Sequence, residues 1–278
     1  MFWKRPEHGS GSFKKMNDSM HYQIEGMGKP VLLIHGWAMH SGVWADFVKE
    51  FSTRHKIITV DLRGHKKSVS MAGPYDFLSF ADDITRLILA LGLKRVTLIG
   101  WSMGVSILLK MMESSLPCVD SVVLINGNPC LVSREDYKQG LPEITIKRLF
   151  RQVERDYPKG LQNFYKLLFT ADEAEALKCN GRYSMVADLH AAPTKQAALE
   201  SLACLQNEDL RPAVKKVRVP ALIIHGSEDR ICAPAAAYYM HNQINRSHIL
   251  FLEKTGHVPF ITKKDAVHRA IAEFLESL

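Results

Sequence analysis

Nothing in this sequence is apolar for long enough to cross a bilayer as a helix. Runs such as Val31 to Ile34 (VLLI) and Ala221 to Ile224 (ALII) have the length of a strand, so stable membrane insertion is not expected. The opening residues, MFWKRPEHGSGSFKK, lack the apolar segment of a secretory signal and turn polar and glycine-rich after Trp3. They read as a flexible extension over residues 1–19, with Met16 as an alternative start. The five cysteines, Cys118, Cys130, Cys179, Cys204 and Cys232, are odd in number and show no CxxC spacing, which argues against a disulfide framework. Structural or incidental thiols in a reducing, cytoplasmic setting fit that pattern. There is no repeat at solenoid spacing and no long low-complexity tract. The formal net charge of +7 fits encounter with an acidic macromolecule and equally an ordinary soluble basic surface. Yet no zinc finger, phosphate-binding lysine motif or aromatic-rich nucleic-acid motif accompanies it, so nucleic acid is not an expected partner.

What is present is a core-forming chain of 278 residues, 46% hydrophobic, in which short buried strands alternate with helices. Strands are predicted at Val31 to Ile34, Lys56 to Asp61, Arg95 to Gly100, Val122 to Ile125, Ala221 to Ile224 and Ser247 to Leu252. Helical apolar spacing appears from Ser79 to Ala90, from the residues after Ser102 through Met112, and from Lys264 to Leu278. This alternation predicts an α/β fold with a mostly parallel central sheet and helices on both faces. Between Asn128 and about Leu210 the strand rhythm stops. Helices are expected there around Ile144 to Val153, after Pro158, over Asp172 to Leu189 and over Thr194 to Leu205. The expected division is a first core part over 20–128, an inserted helical cap over 129–210 and a second core part over 211–278.

The chemistry concentrates at strand ends. Gly100-Trp101-Ser102-Met103-Gly104 satisfies G-x-S-x-G directly after a buried strand and before a helix, a turn that projects the serine oxygen. A lone serine is a poor nucleophile at neutral pH and needs a base with an element to orient it. His257, beyond the last strand, is the candidate base, and Asp229, beyond the Ala221 to Ile224 strand, the candidate acid; Glu228 and Asp209 are less favoured. The order Ser, acid, His agrees with this architecture. The backbone N–H groups of Trp37, in His35-Gly36-Trp37, and of Met103 are the candidate oxyanion donors. The plainer alternatives are a helix-capping serine, a turn-capping aspartate, a packed histidine and a Trp37 ring that only fills the core. Acyl transfer through Ser102 calls for no metal and no organic cofactor.

These motifs resemble the α/β-hydrolase superfamily across nearly all of Val31 to Leu278, including the HGW loop, the Asp61-Leu62-Arg63-Gly64 turn, GWSMG, GSED and the late GH pair. More narrowly, HGWAMHSGVW, LIGWSMG, NGNPC and GHVPF are similar to the pimeloyl-[acyl-carrier protein] methyl ester esterases of biotin synthesis. That resemblance implies a serine esterase that releases methanol from a carrier-linked ester, with acyl-carrier protein as partner. It carries the triad onto Ser102, Asp229 and His257 and the oxyanion amides onto Trp37 and Met103. It further implies that basic cap residues meet the acidic carrier; Lys147, Arg148, Arg151, Arg155 and Lys159 are available, three of the arginines at helical spacing along one face. An ordinary solvated face is the alternative. Trp37, Trp101, Phe150, Phe164 and Tyr165 are candidate walls of the substrate passage, with Leu168 nearby. Lys66 departs from the family, where a small residue follows Arg63-Gly64-His65, and predicts a less compact turn or added positive charge at the entrance. A monomer is expected. Competing readings are a broad-specificity carboxylesterase for short or medium acyl esters and a non-catalytic ligand-binding protein on the same fold.

Overall fold

The computed structural model describes residues 19–278 except 115, 180 and 187, and at 184 and 185 the backbone alone. The expected extension therefore lies outside the described residues, apart from its last position. Seven strands, β1 (His21–Glu25), β2 (Lys29–Ile34), β3 (His55–Asp61), β4 (Val96–Trp101), β5 (Val119–Ile125), β6 (Ala221–Gly226) and β7 (Ser247–Leu252), form one sheet in the order β1-β3-β2-β4-β5-β6-β7. Only β1 runs antiparallel, against β3; all other neighbours are parallel. Strands β4 and β6 are buried along their whole length, as mainly apolar strands covered on both faces must be. β1 is not of this kind. Its HYQIE buries only Tyr22 at the sheet edge, and no strand is predicted there from sequence because its pairing with β3 supplies the order.

The helices are α1 (Ala45–Phe51), α2 (Phe77–Ala90), α3 (Met103–Met111), α4 (Glu143–Arg155), α5 (Tyr157–Leu167), α6 (Ala171–Cys179), α7 (Tyr183–Val186), α8 (Lys195–Asn207), α9 (Arg211–Val214), α10 (Ala235–Gln243), α11 (Pro259–Thr262) and α12 (Lys264–Glu276). Asp76 caps α2, its carboxylate accepting from the Ser79 amide at 2.7 Å, and the helix buries Phe77, Phe80, Ile84, Leu87 and Ile88. α1 and α12 meet through Phe47 and Phe51, whose rings lie edge-on to His268. Helices α4 to α9 all fall between β5 and β6, and α4 packs on α5 and α8.

Two expectations need correction. The single helix over Asp172 to Leu189 is instead α6, α7 and a 3₁₀ turn at Leu189–Ala191. Gly181 adopts φ +70°, its N–H reaches the Lys178 carbonyl, and the Arg182 N–H reaches that of Leu177; this satisfies the terminal carbonyls and stops α6. The turn carrying Lys66 is compact rather than loose. It forms a 3₁₀ turn at Lys66–Ser68, closed by bonds from the Gly64 amide to Ser68 and from the Ser68 amide to His65, with Lys66 Nζ 3.1 Å from His40 Nδ1.

Candidate active site

The parallel strands point their carboxyl ends to one side of the sheet, where loops of this architecture collect ligands. Ser102 follows β4 with φ +55° and ψ −118°, a region costly for a residue with a Cβ and held by the close-packed turn around it. Gly104 is what lets that turn close. A Cβ there would lie 2.4 Å from the Ile34 carbonyl oxygen, so only glycine allows α3 to start against the end of β2. The Ser102 amide donates to the Ile125 carbonyl at 3.0 Å, tying the turn to β5.

Asp229 and His257 emerge from the loops after β6 and β7, and both side chains are fully buried. His257 Nδ1 donates to Asp229 Oδ2 at 2.7 Å. Asn126, at the end of β5, donates to the same oxygen at 2.7 Å, while the Ile231 and Cys232 amides donate to Oδ1 at 2.8 and 3.0 Å. Burial alone would raise this carboxyl's pKa. The facing His257 and the hydrogen bonds from His225 and His257 override it and hold the group well below the usual carboxylate range. A carboxylate so fixed selects the tautomer with the proton on Nδ1, leaving Nε2 as the basic nitrogen. Nε2 is buried and makes no hydrogen bond among the described residues.

Asp229, Cys232 and His257 also bring one carboxylate oxygen, one sulfur and one ring nitrogen within 4.8 Å of one another. Their chemistry does not suit a cation. The carboxylate and imidazole are joined to each other, and burial together with Asp229 pushes the Cys232 thiol well above the ordinary range, away from the thiolate that metals take.

Neither the Trp37 nor the Met103 backbone N–H has a hydrogen-bond partner among the described residues. The Trp37 indole donates to the Ala198 carbonyl at 2.9 Å and stands edge-on to Phe164, ring centres 4.7 Å apart. Trp37, Ser102, Met103, Phe164, Ile231 and Cys232 line a small, mostly apolar cavity of about 30 Å³. Ile146, Leu149, Phe164 and Ile231 are shared with a groove of about 330 Å³ that also touches Arg148 and Arg230. Gln152 and Asn163 continue it into a second groove bounded by Arg155 and Lys159. Of the other expected wall residues, Trp101 is buried with its indole on the His257 carbonyl, Tyr165 is buried with its hydroxyl on the Ala38 carbonyl, and Phe150 packs against the core. None of these three lines the cavity or either groove. A larger groove of about 750 Å³, near Arg218 and Arg246, lies at the opposite, amino ends of β5 and β7 and contains none of the candidate triad.

Among the basic residues, Lys147 pairs with Glu143 at 2.9 Å, whereas Arg148, Arg151, Arg155 and Lys159 are exposed and form no ion pair among the described residues. Asn126, Arg230 and Cys232 went unread as site residues in the sequence. For Asn126 the usable signal was its place at a strand's carboxyl end, directly after the apolar run of β5.

The profile of the alpha/beta hydrolase fold family matches residues 29–264. The chain belongs to that family. It is 31% identical over 245 residues to a pimeloyl-[acyl-carrier protein] methyl ester esterase of Nitrosomonas europaea, covering 88% of this chain and 94% of the relative. Among solved structures of the family, an esterase from Exiguobacterium antarcticum superposes with a TM-score of 0.83 at 27% identity, covering 92% of this chain and 95% of that one. A bromoperoxidase from Bacillus anthracis superposes with a TM-score of 0.87 at 27% identity and the same coverage. No described helix is long and apolar enough to cross a membrane.

Proposed function

We propose that this carboxylic-ester hydrolase cleaves the methyl ester of a pimeloyl chain carried on acyl-carrier protein, through an acyl-enzyme on Ser102. In this reading His257 Nε2 takes the Ser102 proton as the serine oxygen bonds to the ester carbonyl carbon. Asp229 steadies the imidazolium, and the Trp37 and Met103 amides receive the negative oxygen. Collapse breaks the bond to the methoxy group, which leaves as methanol with the proton from His257. Water, deprotonated by the same nitrogen, then releases the free carboxylate and restores Ser102. The single observation that carries the reaction class is the 2.7 Å bond between His257 and a carboxylate already supplied with donors on both oxygens, on a chain whose serine sits in a strained turn.

Residues 129–210 act as a cap in this proposal, and the likeness to the esterase of N. europaea supports the carrier-linked substrate. So does the shape of the passage. The apolar cavity beside Ser102 opens toward the groove edged by Arg148 and Arg230 and then toward Arg155 and Lys159. An acyl chain would lie in the apolar part and a phosphorylated arm at the cations, with Arg151 and Lys147 facing the acidic carrier. The cavity is only about 30 Å³, well below the roughly 300 Å³ at which ligand pockets begin, so in this reading Phe164, Leu149 and Ile146 move apart to admit an acyl chain.

The test compares the carrier-linked methyl ester with the free dimethyl ester and with p-nitrophenyl butyrate. Replacing Arg151 and Arg155 by glutamine should lower kcat/KM for the carrier substrate about tenfold and leave the small esters unchanged. Equal turnover of carrier-linked and small esters would favour a broad carboxylesterase. Folded protein that neither turns over esters nor is labelled by a fluorophosphonate would favour a ligand-binding role.

A further inference from the structure

The loop that carries His257 is tied to the core, where Asn126 and Trp101 donate to the Gly256 and His257 carbonyls, and also to the helical segment inserted between β5 and β6. Two consecutive amides make the second tie. The Gly256 N–H donates to Glu173 Oε2 at 3.0 Å, and the His257 N–H donates to the Leu168 carbonyl at 2.8 Å. Glu173 lies in the first turn of α6 and is buried, 8% exposed, a rare setting for a carboxylate. Its other partners complete a closed set. Oε2 also accepts from the Thr170 amide at 2.9 Å, and Oε1 accepts from the Thr262 hydroxyl at 2.6 Å. Thr262 belongs to α11, which begins two residues after His257.

Glu173 therefore clasps the His257 loop on both sides, at Gly256 before it and at Thr262 after it. Neither contact reaches substrate or the reacting atoms. A helix capped only for its own sake would need the Thr170 contacts alone: the Glu173 amide on Thr170 Oγ1 at 3.2 Å and the Thr170 amide on the carboxylate already make that reciprocal cap. The extra two bonds run across 83 and 89 residues of sequence to the loop of the base.

We infer that Glu173 is a positioning residue for His257: it fixes the histidine loop against the inserted helices, so that the imidazole is set for Ser102 only while α6 is docked. The inference rests on the triad reading above and adds to it a link between the inserted helices and the base. The work is done by hydrogen-bond acceptance. Glutamine can supply it too, its amide oxygen accepting from Gly256 and Thr170 while its amino group donates to Thr262, whose hydroxyl turns to the Val258 carbonyl 3.3 Å away.

The experiment measures p-nitrophenyl butyrate hydrolysis per active site, counted by fluorophosphonate titration, in Glu173→Ala, Glu173→Gln and Thr262→Val. Glu173→Ala should lose about 10- to 100-fold in kcat, the scale of a misplaced catalytic group, with KM changed by less than about twofold. Glu173→Gln should return to within about threefold of the parent kcat. Thr262→Val, which removes one bond of the set and keeps the side-chain shape, should fall between them. Thermal melts show which variants are folded, and if Glu173→Ala does not fold the comparison stands on Thr262→Val. Parent kcat in Glu173→Ala, or glutamine as damaging as alanine, or parent kcat in Thr262→Val, would overturn the inference. Ser102→Ala serves as the separate control: turnover surviving there would sink the triad reading itself, whatever the Glu173 variants do.

Discussion

The indole Nε1 of Trp101 donates to the backbone carbonyl of His257 at 2.8 Å, so the residue preceding the candidate nucleophile holds the main chain of the candidate base. The two lie 156 positions apart in sequence, and Trp101 is buried with its ring set against Phe260. The side chain expected to face substrate instead spans the gap between β4 and the loop after β7.

Trp101→Phe removes that donor and leaves the His257 carbonyl buried without it. The cost to stability should be about 1–3 kcal/mol, with kcat about tenfold lower and KM little changed. Urea unfolding and steady-state kinetics on the same preparation measure both; an unchanged kcat would assign Trp101 to packing alone.

Asp229→Asn keeps the volume and removes the charge. Hydrolysis should fall by roughly 10³- to 10⁴-fold at neutral pH, since the wrong tautomer of His257 is then favoured. Because the folded carboxyl titrates below its unfolded value, its contribution to stability is present above the ordinary carboxylate pKa and is lost as pH falls beneath it. The stability gap between parent and variant should therefore narrow from pH 6 to pH 3, as followed by denaturant titration.

Gly104→Ala tests the closeness of the serine turn. With the new Cβ 2.4 Å from a backbone oxygen of β2, strain must be relieved by moving α3 or the strand. A loss of about 2–4 kcal/mol is expected, together with a fall in kcat. A variant that melts like the parent would mean the turn can yield at no cost.

His35 and His65 should add to the acid sensitivity of the fold. Burial, aided at His35 by its neighbour His65, lowers their pKa values to about 3 and about 4. His35 Nε2 accepts from the Leu62 amide at 3.1 Å, so a proton there would break the bond. Both rings are neutral when folded and titrate near 6.5 when unfolded, so unfolding takes up protons between those values. Stability should be fully present above about pH 6.5 and decline as pH falls toward 4. Unfolding midpoints at pH 7, 6 and 5 report the slope, and His65→Gln should flatten it; a slope identical to the parent's would assign the acid loss to other groups.

The strand and helix rhythm of the core was readable because each central strand is a short apolar run and each turn is encoded locally. β2, β4, β6 and β7 fall where their runs predict, while β1 does not announce itself, since HYQIE is ordered by pairing with β3. The inserted segment was harder to read. Apolar spacing alone carries on across Gly181, but the backbone there turns to positive φ and divides one expected helix into shorter pieces.

By itself the sequence determined the serine turn and the two loops that could answer it, because strand, turn and helix are written within a few consecutive residues around Ser102, and Asp229 and His257 each follow an apolar run. Only the tertiary structure decided that Asn126 shares a carboxylate oxygen with His257, that Trp101 holds the histidine's main chain, and that Glu173 of the inserted helices reaches Gly256. The reason is geometric. Strands β4, β5, β6 and β7 stand side by side in parallel, so their carboxyl ends lie next to one another although the residues there are separated by long stretches of chain, and no local pattern encodes which buried side chain meets which.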